Sequence, residues 1–392
     1  GGCKWQELRY DEQLKMKEKQ VRDALEHIGK VSTEWMRPIC GSEKIFHYRN
    51  KMEYTFSNRR WRTREELEAG APNAAALGFH LPGLFDKVLD IERCALQADP
   101  SNAIRLEARR YALEHGLPFY DARTHEGYLR TLVIRCSGTG EWMVLLVVAQ
   151  DRPEWLFPML DNLKRAFPQI TSLHYIVNEK MNDSYSDQPV TCYYGKECVE
   201  EVMEGYGGAP ALHFAIHPKS FYQTNAPQAY RLYSFVAEFA DLNGTELVYD
   251  LYTGTGTIAL FLARMCRHVV GVEYVEDAVT DARGNAQVNG IGNAEFYAGD
   301  MAKVLDAAFV AQHGRPDVVV VDPPRAGMAE KVVWQLLEMR PKKIVYVSCN
   351  PATQARDLLM LAEAYDVRRL QPVDMFPHTQ HVENVAELIL RQ

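Results

Sequence analysis

The sequence predicts an α/β protein: a doubly wound, mostly parallel sheet from about residue 211 onward, preceded by a separate α+β region. Two observations carry this. From residue 211 the apolar runs in "ELVYDLYTGTGTIALFLARM", "HVVGVEYVEDAVTDARGNAQVNG", "AEFYAGD", "PDVVVVDPPRAGM" and "KKIVYVSCNPAT" alternate with amphipathic stretches such as "AEKVVWQLLEM" and "QARDLLMLAEA". Strand, turn and helix repeated in this way imply a sheet covered on both faces, with ligands at the carboxyl ends of its strands. Between about 30 and 210 the apolar runs are instead short and broken by Gly, Pro and Asn.

In chain order, Gln6 to about Gly29 reads as one amphipathic helix, with Leu14, Val21, Leu25 and Ile28 at helical spacing and Gly29 as its stop. "MEYTFSN", "LGFHLP", "LRTLVIRCS", "EWMVLLVVAQ" and "LHYIVNEK" read as strands of an antiparallel sheet, with helices near "PSNAIRLEARRYALEHG" and "PEWLFPMLDNLKRAF". The expected division is 1–30 (a linker helix and what precedes it), 31–210 (the α+β region) and 211–392 (the doubly wound domain).

Composition narrows the class. The chain has 392 residues, 47% of them apolar, enough for more than one core. No run approaches the ~18 apolar residues of a membrane span, and the charged opening "GGCKWQELRYDEQLKMKEKQ" has no signal-peptide core, so a cytoplasmic protein is expected. Eight cysteines spread over so long a chain argue against a disulfide scaffold. The net charge of −8 argues against a phosphate-rich partner. Against that, "HYRNKMEYTFSNRRWRTREELE" interleaves Arg49, Lys51, Arg59, Arg60, Arg62 and Arg64 with Tyr48, Tyr54, Phe56 and Trp61. That mixture suits single-stranded nucleic acid, or equally a solvated hairpin.

The ligand signal lies in "YDLYTGTGTIAL", where Gly254 and Gly256 let the backbone approach a ligand closely. Glu273 ends the next strand, where a carboxylate can bind ribose hydroxyls, a feature shared with NAD sites. Asp250 beside the turn repels pyrophosphate but attracts a sulfonium and an ammonium. Asp300, after the third strand, is placed to accept from an adenine amino group. This set resembles the class I (Rossmann-like) methyltransferases that use S-adenosylmethionine.

"DPPRAGM" alone leaves methylation of an amino nitrogen open. The following strand, however, delivers Cys349, and the last hairpin brings His381 and Glu383 two apart on one side of an extended segment. Carbon-5 of a pyrimidine needs both kinds of group, because it is too poor a nucleophile until a thiolate adds at C6, and a base must afterwards remove the C5 proton. Cys349 is the expected nucleophile and Glu383 the expected base. A thiol of pKa ~8.5 needs help to ionise, and the helix start at Asn350-Pro351 is expected to give it.

"DPPRAGM", "SCNPAT" and "HVE", with "FYQTN" at 221–225, resemble the RNA uridine-C5 methyltransferases, which make 5-methyluridine in tRNA and large-subunit rRNA. The resemblance runs nearly end to end. It implies that Gln223, Glu273 and Asp322 line the pocket for cofactor and target base, with Tyr252 a looser match, and that Phe221, Asn225, Arg325 and His381 face the substrate. Cytosine-C5 enzymes carry their cysteine directly after the proline of the acidic-Pro motif, a place held here by Pro324-Arg325. In the 23S rRNA type, "GGC" at the start resembles the tail of a four-cysteine [4Fe-4S] motif and Cys94 the fourth ligand. Cys3 and Cys94 are then two of four ligands in an N-terminally truncated chain, and no cluster is expected in it. An RNA partner, rRNA ahead of tRNA, is expected, with no membrane and a monomeric state. A non-catalytic RNA-binding or assembly factor is the other reading. Cys40, Cys136, Cys192, Cys198 and Cys266 are expected to be plain thiols, and His80, His213 and His217 structural.

Overall fold

The computed structural model describes residues 2–392. They form two compact units, one of residues 46–201 with 216–219, the other of 2–45, 202–215 and 220–392.

The chain opens with helix α1 (Tyr10–His27), which belongs to the second unit. It starts later than the periodicity predicts, because the Gln13 side chain donates to the carbonyls of Trp5 and Leu8 and holds the preceding residues in turns. Val21 and Leu25 are fully buried as predicted, but Ile28 is exposed. Gly29 ends the helix where a Cβ would stand 3.0 Å from the Leu25 and Ala355 carbonyl oxygens, so no other residue fits there unshifted.

The first unit is a sheet of β1 (Lys51–Ser57), β2 (Ala76–Leu81), β3 (Leu84–Asp90), β4 (Leu129–Cys136), β5 (Trp142–Val148), β6 (Ile170–Val177) and β7 (Thr191–Gly195), in the order β3-β2-β1-β4-β5-β6-β7. Helices α2 (Arg64–Glu68), α3 (Ser101–Glu114) and α4 (Pro153–Ala166) connect them. The antiparallel expectation fails at one pair: β5 and β6 run parallel, because α4 supplies the crossover a parallel pair requires. The segment with interleaved cations and rings does not present a stacking surface. Tyr48, Tyr54 and Phe56 are buried, Phe56 packing edge-on against Phe119 at 5.1 Å. Arg59 pairs with Asp121 at 3.0 Å, Arg60 with Glu66 at 2.6 Å and Arg64 with Glu68 at 2.8 Å, while Arg62 donates to the Ala71 carbonyl. Strand alternation places Tyr54 and Phe56 inward, and nearby acids take Arg59, Arg60 and Arg64.

After a ribbon of β8 (Val199–Met203) and β9 (Leu212–Ile216) come α5 (Ala226–Ala240), β10 (Leu247–Leu251), α6 (Thr257–Ala263), β11 (His268–Glu273), α7 (Glu276–Val288) and β12 (Ala294–Ala298). Helices α8 (Met301–Val304) and α9 (Ala307–His313) precede β13 (Val318–Val321), α10 (Glu330–Met339), β14 (Lys343–Ser348), α11 (Pro351–Leu361), β15 (Tyr365–Val373) and β16 (Glu383–Leu390). The sheet order is β12-β11-β10-β13-β14-β16-β15, parallel from β12 to β14, with β16 antiparallel to both neighbours. Its central strands read as unbroken apolar runs because both faces are covered; all four residues of β13 are buried valines. The direction of strand order reverses between β10 and β13, which opens a crevice at their carboxyl ends. Among the described residues no helix is long and apolar enough to cross a membrane.

Phe56→Ala is expected to lower the unfolding free energy by about 3–5 kcal/mol, the cost of an emptied ring site, whereas Arg64→Ala should change it by less than about 0.5 kcal/mol. Urea titration followed by circular dichroism checks both, and an unchanged midpoint for Phe56→Ala would contradict the core assignment.

Candidate active site

Asp250 lies in the last turn of β10, fully buried. The chain then passes through Tyr252, Gly254 and Gly256, at φ of 64°, 55° and 80°. A Cβ at Gly256 would stand 3.0 Å from Ala282 Cβ and 3.2 Å from the Phe296 ring, so glycine is needed there for both conformation and space. Thr253 Oγ1 donates to Asp250 Oδ2 at 2.5 Å, while Asp250 Oδ1 is buried with no hydrogen-bond partner. Glu273, closing β11, accepts from the backbone N–H of Gly254 at 3.0 Å and of Val275 at 2.9 Å. Its oxygens keep lone pairs for a ligand hydroxyl. Asp300 caps α8 by accepting from Ala302 N at 3.1 Å, and its other oxygen lies 3.7 Å from Lys303.

On the other side of the crevice Asp322 follows β13 and its N–H reaches the Leu251 carbonyl at 3.3 Å. The loop after it is held from beneath by Asp357 of α11. One carboxylate oxygen of that buried residue accepts from Met328 N at 2.8 Å and from the Tyr346 hydroxyl at 2.6 Å. Cys349 follows β14 directly. Asn350 Oδ1 accepts from Ala352 N at 3.2 Å and caps α11, as the Asn-Pro pair predicts. Its amide and Thr353 Oγ1 both donate to the Arg325 carbonyl, at 3.0 and 3.2 Å, tying the Cys349 turn to the Asp322 loop. Ser348 stands opposite Asn384 in the sheet, so Cys349 and Glu383 occupy adjacent positions at the same rim. Arg325 Nη2 lies 3.5 Å from His381 Nε2.

The electrostatics of this rim are lopsided. Burial, and then the neighbouring Glu273, push Asp250 up to about 7; burial and Asp250 push Asp322 up to about 7. Burial and Asp322 push Glu383 up to about 8, with Arg325 opposing. Cys349 is raised to about 11 by burial, then by Glu383 and Asp322. This departs from the expectation that the helix start favours the thiolate: burial of the sulfur first, and then the carboxylates beside it, hold the thiol up. A pocket with an unpartnered carboxylate oxygen and several mutually repelling acids fits a cationic ligand, and S-adenosylmethionine is one.

The structure thus brings Asp250, Tyr252, Gly254, Glu273, Asp322, Cys349, Glu383, Arg325 and His381 to one edge of the sheet. Gln223 and Phe221 lie in the loop before α5; the Phe221 ring is exposed and its carbonyl accepts from Thr255 Oγ1 at 3.3 Å. Asn225 departs from its assignment. It is buried, caps α5, and donates to the Met375 carbonyl at 3.0 Å, so its amide is spent on scaffolding rather than on substrate. Two groups went unnoticed in the sequence. Tyr233 of α5 is buried within electrostatic reach of Asp322, Asp250 and Glu383, and bonds Thr257 at 3.3 Å; on an apolar helix face it reads as core. Thr253 is hidden among the glycines of its turn. Cys94 is buried in the core of the first unit, Cys3 is half-buried in the second, and among the described residues no group of three or more His, Cys, Asp or Glu is placed to hold a metal ion.

A mostly parallel sheet with a glycine turn and a cluster of acids at its switch point has the architecture of the class I methyltransferase fold. Residues 192–391 match the tRNA (Uracil-5-)-methyltransferase family. A protein of Bacteroides thetaiotaomicron named as an uncharacterized RNA methyltransferase is 54% identical over 396 residues, covering 100% of this chain and 86% of its own. One of Chlorobaculum tepidum, similarly named, is 39% identical over 399 residues, covering 98% and 80%. The solved Pyrococcus abyssi tRNA (uracil-54, C5)-methyltransferase, in complex with S-adenosyl-L-homocysteine, is 31% identical with a TM-score of 0.76, over 99% of this chain and 86% of that one. The chain belongs to the RNA uridine-C5 methyltransferase family, and it is an S-adenosylmethionine-dependent RNA methyltransferase.

Because the folded protein holds Asp322 above its ordinary value of 3.8, it binds more protons than the unfolded chain between about pH 4 and 7, and stability falls as pH rises through that window. Asp322→Asn is therefore expected to raise the melting temperature by a few degrees at pH 8 and scarcely at all at pH 4. Thermal melts of the ligand-free protein at the two pH values decide it, and equal shifts at both would contradict the repulsion.

Proposed function

We propose that this enzyme methylates C5 of a uridine in ribosomal RNA through a covalent bond between Cys349 and C6 of the base. The observation that carries the reading is the adjacency of Cys349 and Glu383 at the rim where Asp322 and the glycine turn meet. In this scheme Asp250, Glu273, Tyr252 and Asp300 hold the methyl donor, while Gln223 and Asp322 face both donor and base. Phe221, Arg325 and His381 contact the RNA. Bound S-adenosylmethionine supplies a methyl group made electrophilic by its sulfonium.

The Cys349 thiol is held up by Glu383 and Asp322, and it comes down when positive charge is seated against those carboxylates. The thiolate then adds to C6, and the C5=C6 electron pair moves onto C5 and O4. C5 takes the methyl, and the donor's carbon–sulfur bond pair stays with its sulfur. The Glu383 carboxylate removes the C5 proton, the freed pair restores C5=C6, and the bond from C6 to Cys349 breaks to return the thiolate. The uridine must leave its stack to reach the rim, at a cost of a few kcal/mol, less in a loop.

The choice of rRNA rests on the likeness of "GGC" and Cys94 to the cluster motif of the rRNA type. A tRNA substrate is the second reading, favoured by the activity named for the Pyrococcus abyssi relative.

With RNA carrying 5-fluorouridine at the target, a denaturation-resistant protein–RNA complex is expected for the wild type and none for Cys349→Ala; persistence of the complex in that variant overturns the nucleophile. Glu383→Gln is expected to lower turnover by roughly 10²–10⁴-fold while complex with ordinary RNA builds up. Methyl transfer from labelled donor to 23S rRNA but not to tRNA transcripts is expected, and label confined to tRNA would reverse the choice of substrate.

A further inference from the structure

Between β15 and β16 the chain runs from Asp374 to Val382 without regular structure, and this connection delivers His381 and Glu383 to the rim. Beside the bond from Asn225 to the Met375 carbonyl, what holds it is helix α1, at the opposite end of the sequence. Lys17 Nζ donates to Asp374 Oδ1 at 2.6 Å and to the Phe376 carbonyl at 3.0 Å. Tyr10 donates its hydroxyl to the other Asp374 oxygen at 2.8 Å. Gln13 Oε1 accepts from His378 N at 2.8 Å, and its amide nitrogen lies 3.2 Å from His378 Nδ1. The side chains of both Lys17 and Asp374 have 0% exposure.

The choice of residues is uneconomical for stability alone. One helical turn on, the same face of α1 buries Val21 and Leu25 against apolar neighbours. A buried ion pair gains little over a hydrophobic pair of like volume, because desolvation takes back most of the attraction. What polar groups add is direction: the bonds to Phe376 O and His378 N set the backbone of the connection, which apolar packing leaves free to slide.

We infer that Lys17 is a positioning residue for methyl transfer: its pairing with Asp374 and its bond to Phe376 hold the 374–382 connection so that Glu383 meets the C5 proton of the base bound to Cys349. The inference rests on the reading of Glu383 as the base. A displaced base slows proton removal, and hence release of the adduct, more than it slows formation of the adduct, and that split is what a merely structural lysine would not produce.

The test compares full-chain wild type, Lys17→Met, Lys17→Met/Asp374→Asn and Glu383→Gln. It reads methylated product and covalent protein–RNA adduct on denaturing gels in single-turnover reactions, with donor affinity measured alongside. For Lys17→Met the expected result is product release slowed roughly 10–100-fold, adduct accumulating as in Glu383→Gln, and donor affinity within about twofold of wild type. The double variant buries no charge at the pair; if Lys17→Met does not fold, the double variant is judged by the same criterion. Adduct and product falling in parallel, or wild-type release, in the variant judged overturns the inference while Glu383→Gln still accumulates adduct. If Glu383→Gln itself turns over normally, the base reading falls and takes the inference with it.

Discussion

The arrangement depends on one electrostatic constraint: Asp250 and Glu383 are buried and Asp322 half-buried at a single sheet edge, each raised by desolvation and by a neighbouring carboxylate. Such a cluster is costly in an empty protein and persists only where the surroundings leave the acids no room to separate. Strand order provides that confinement. The ends of β10, β13 and β16 are set by hydrogen-bonded registers whose other residues are almost wholly apolar and buried, so the acids cannot retreat without tearing the sheet. The same constraint explains the raised thiol of Cys349.

Behind this edge lies a second layer that carries no chemistry of its own. Asp357 holds the loop after Asp322, Asn350 ties that loop to the Cys349 turn, and Asn225 reaches the Met375 carbonyl on the way to Glu383. Each is a polar side chain with at least one bond to the backbone of another segment, and each joins segments that alternation of strands and helices alone would leave independently mobile. Preorganisation of this sort lets a reacting base meet groups from several strands with little rearrangement.

How much of this was legible follows from what kind of signal each part leaves. The doubly wound domain was readable because strands covered on both faces become unbroken apolar runs, as in "VVVV", and because glycine turns and Asn-Pro starts punctuate them. The gathering of Asp250, Glu273, Asp322, Cys349 and Glu383 at one rim was readable because they sit at strand ends, where the sheet dictates position. Strand β7, largely exposed, and β3, with Asp86 and Lys87 in its middle, lacked the apolar pattern and escaped notice. The interleaved arginines and rings left two readings open for a complementary reason: a sequence shows which residues alternate, but not that Glu66, Glu68 and Asp121 pair with Arg60, Arg64 and Arg59. Tyr233 and Lys17 were illegible because a polar residue on a buried helix face gives the same periodicity as an apolar one.

Strand β16 is synthesised after β15 yet lies between it and β14. A growing chain therefore presents the strand that leads to Cys349 with one hydrogen-bonding edge open, and Glu383 arrives only with the strand that fills that gap. Closure of the sheet and the meeting of Cys349 with Glu383 are one event in the order of synthesis. Under the proposed mechanism the residue assigned as base reaches the rim only when the last strand is inserted, so the site is complete only when the sheet is.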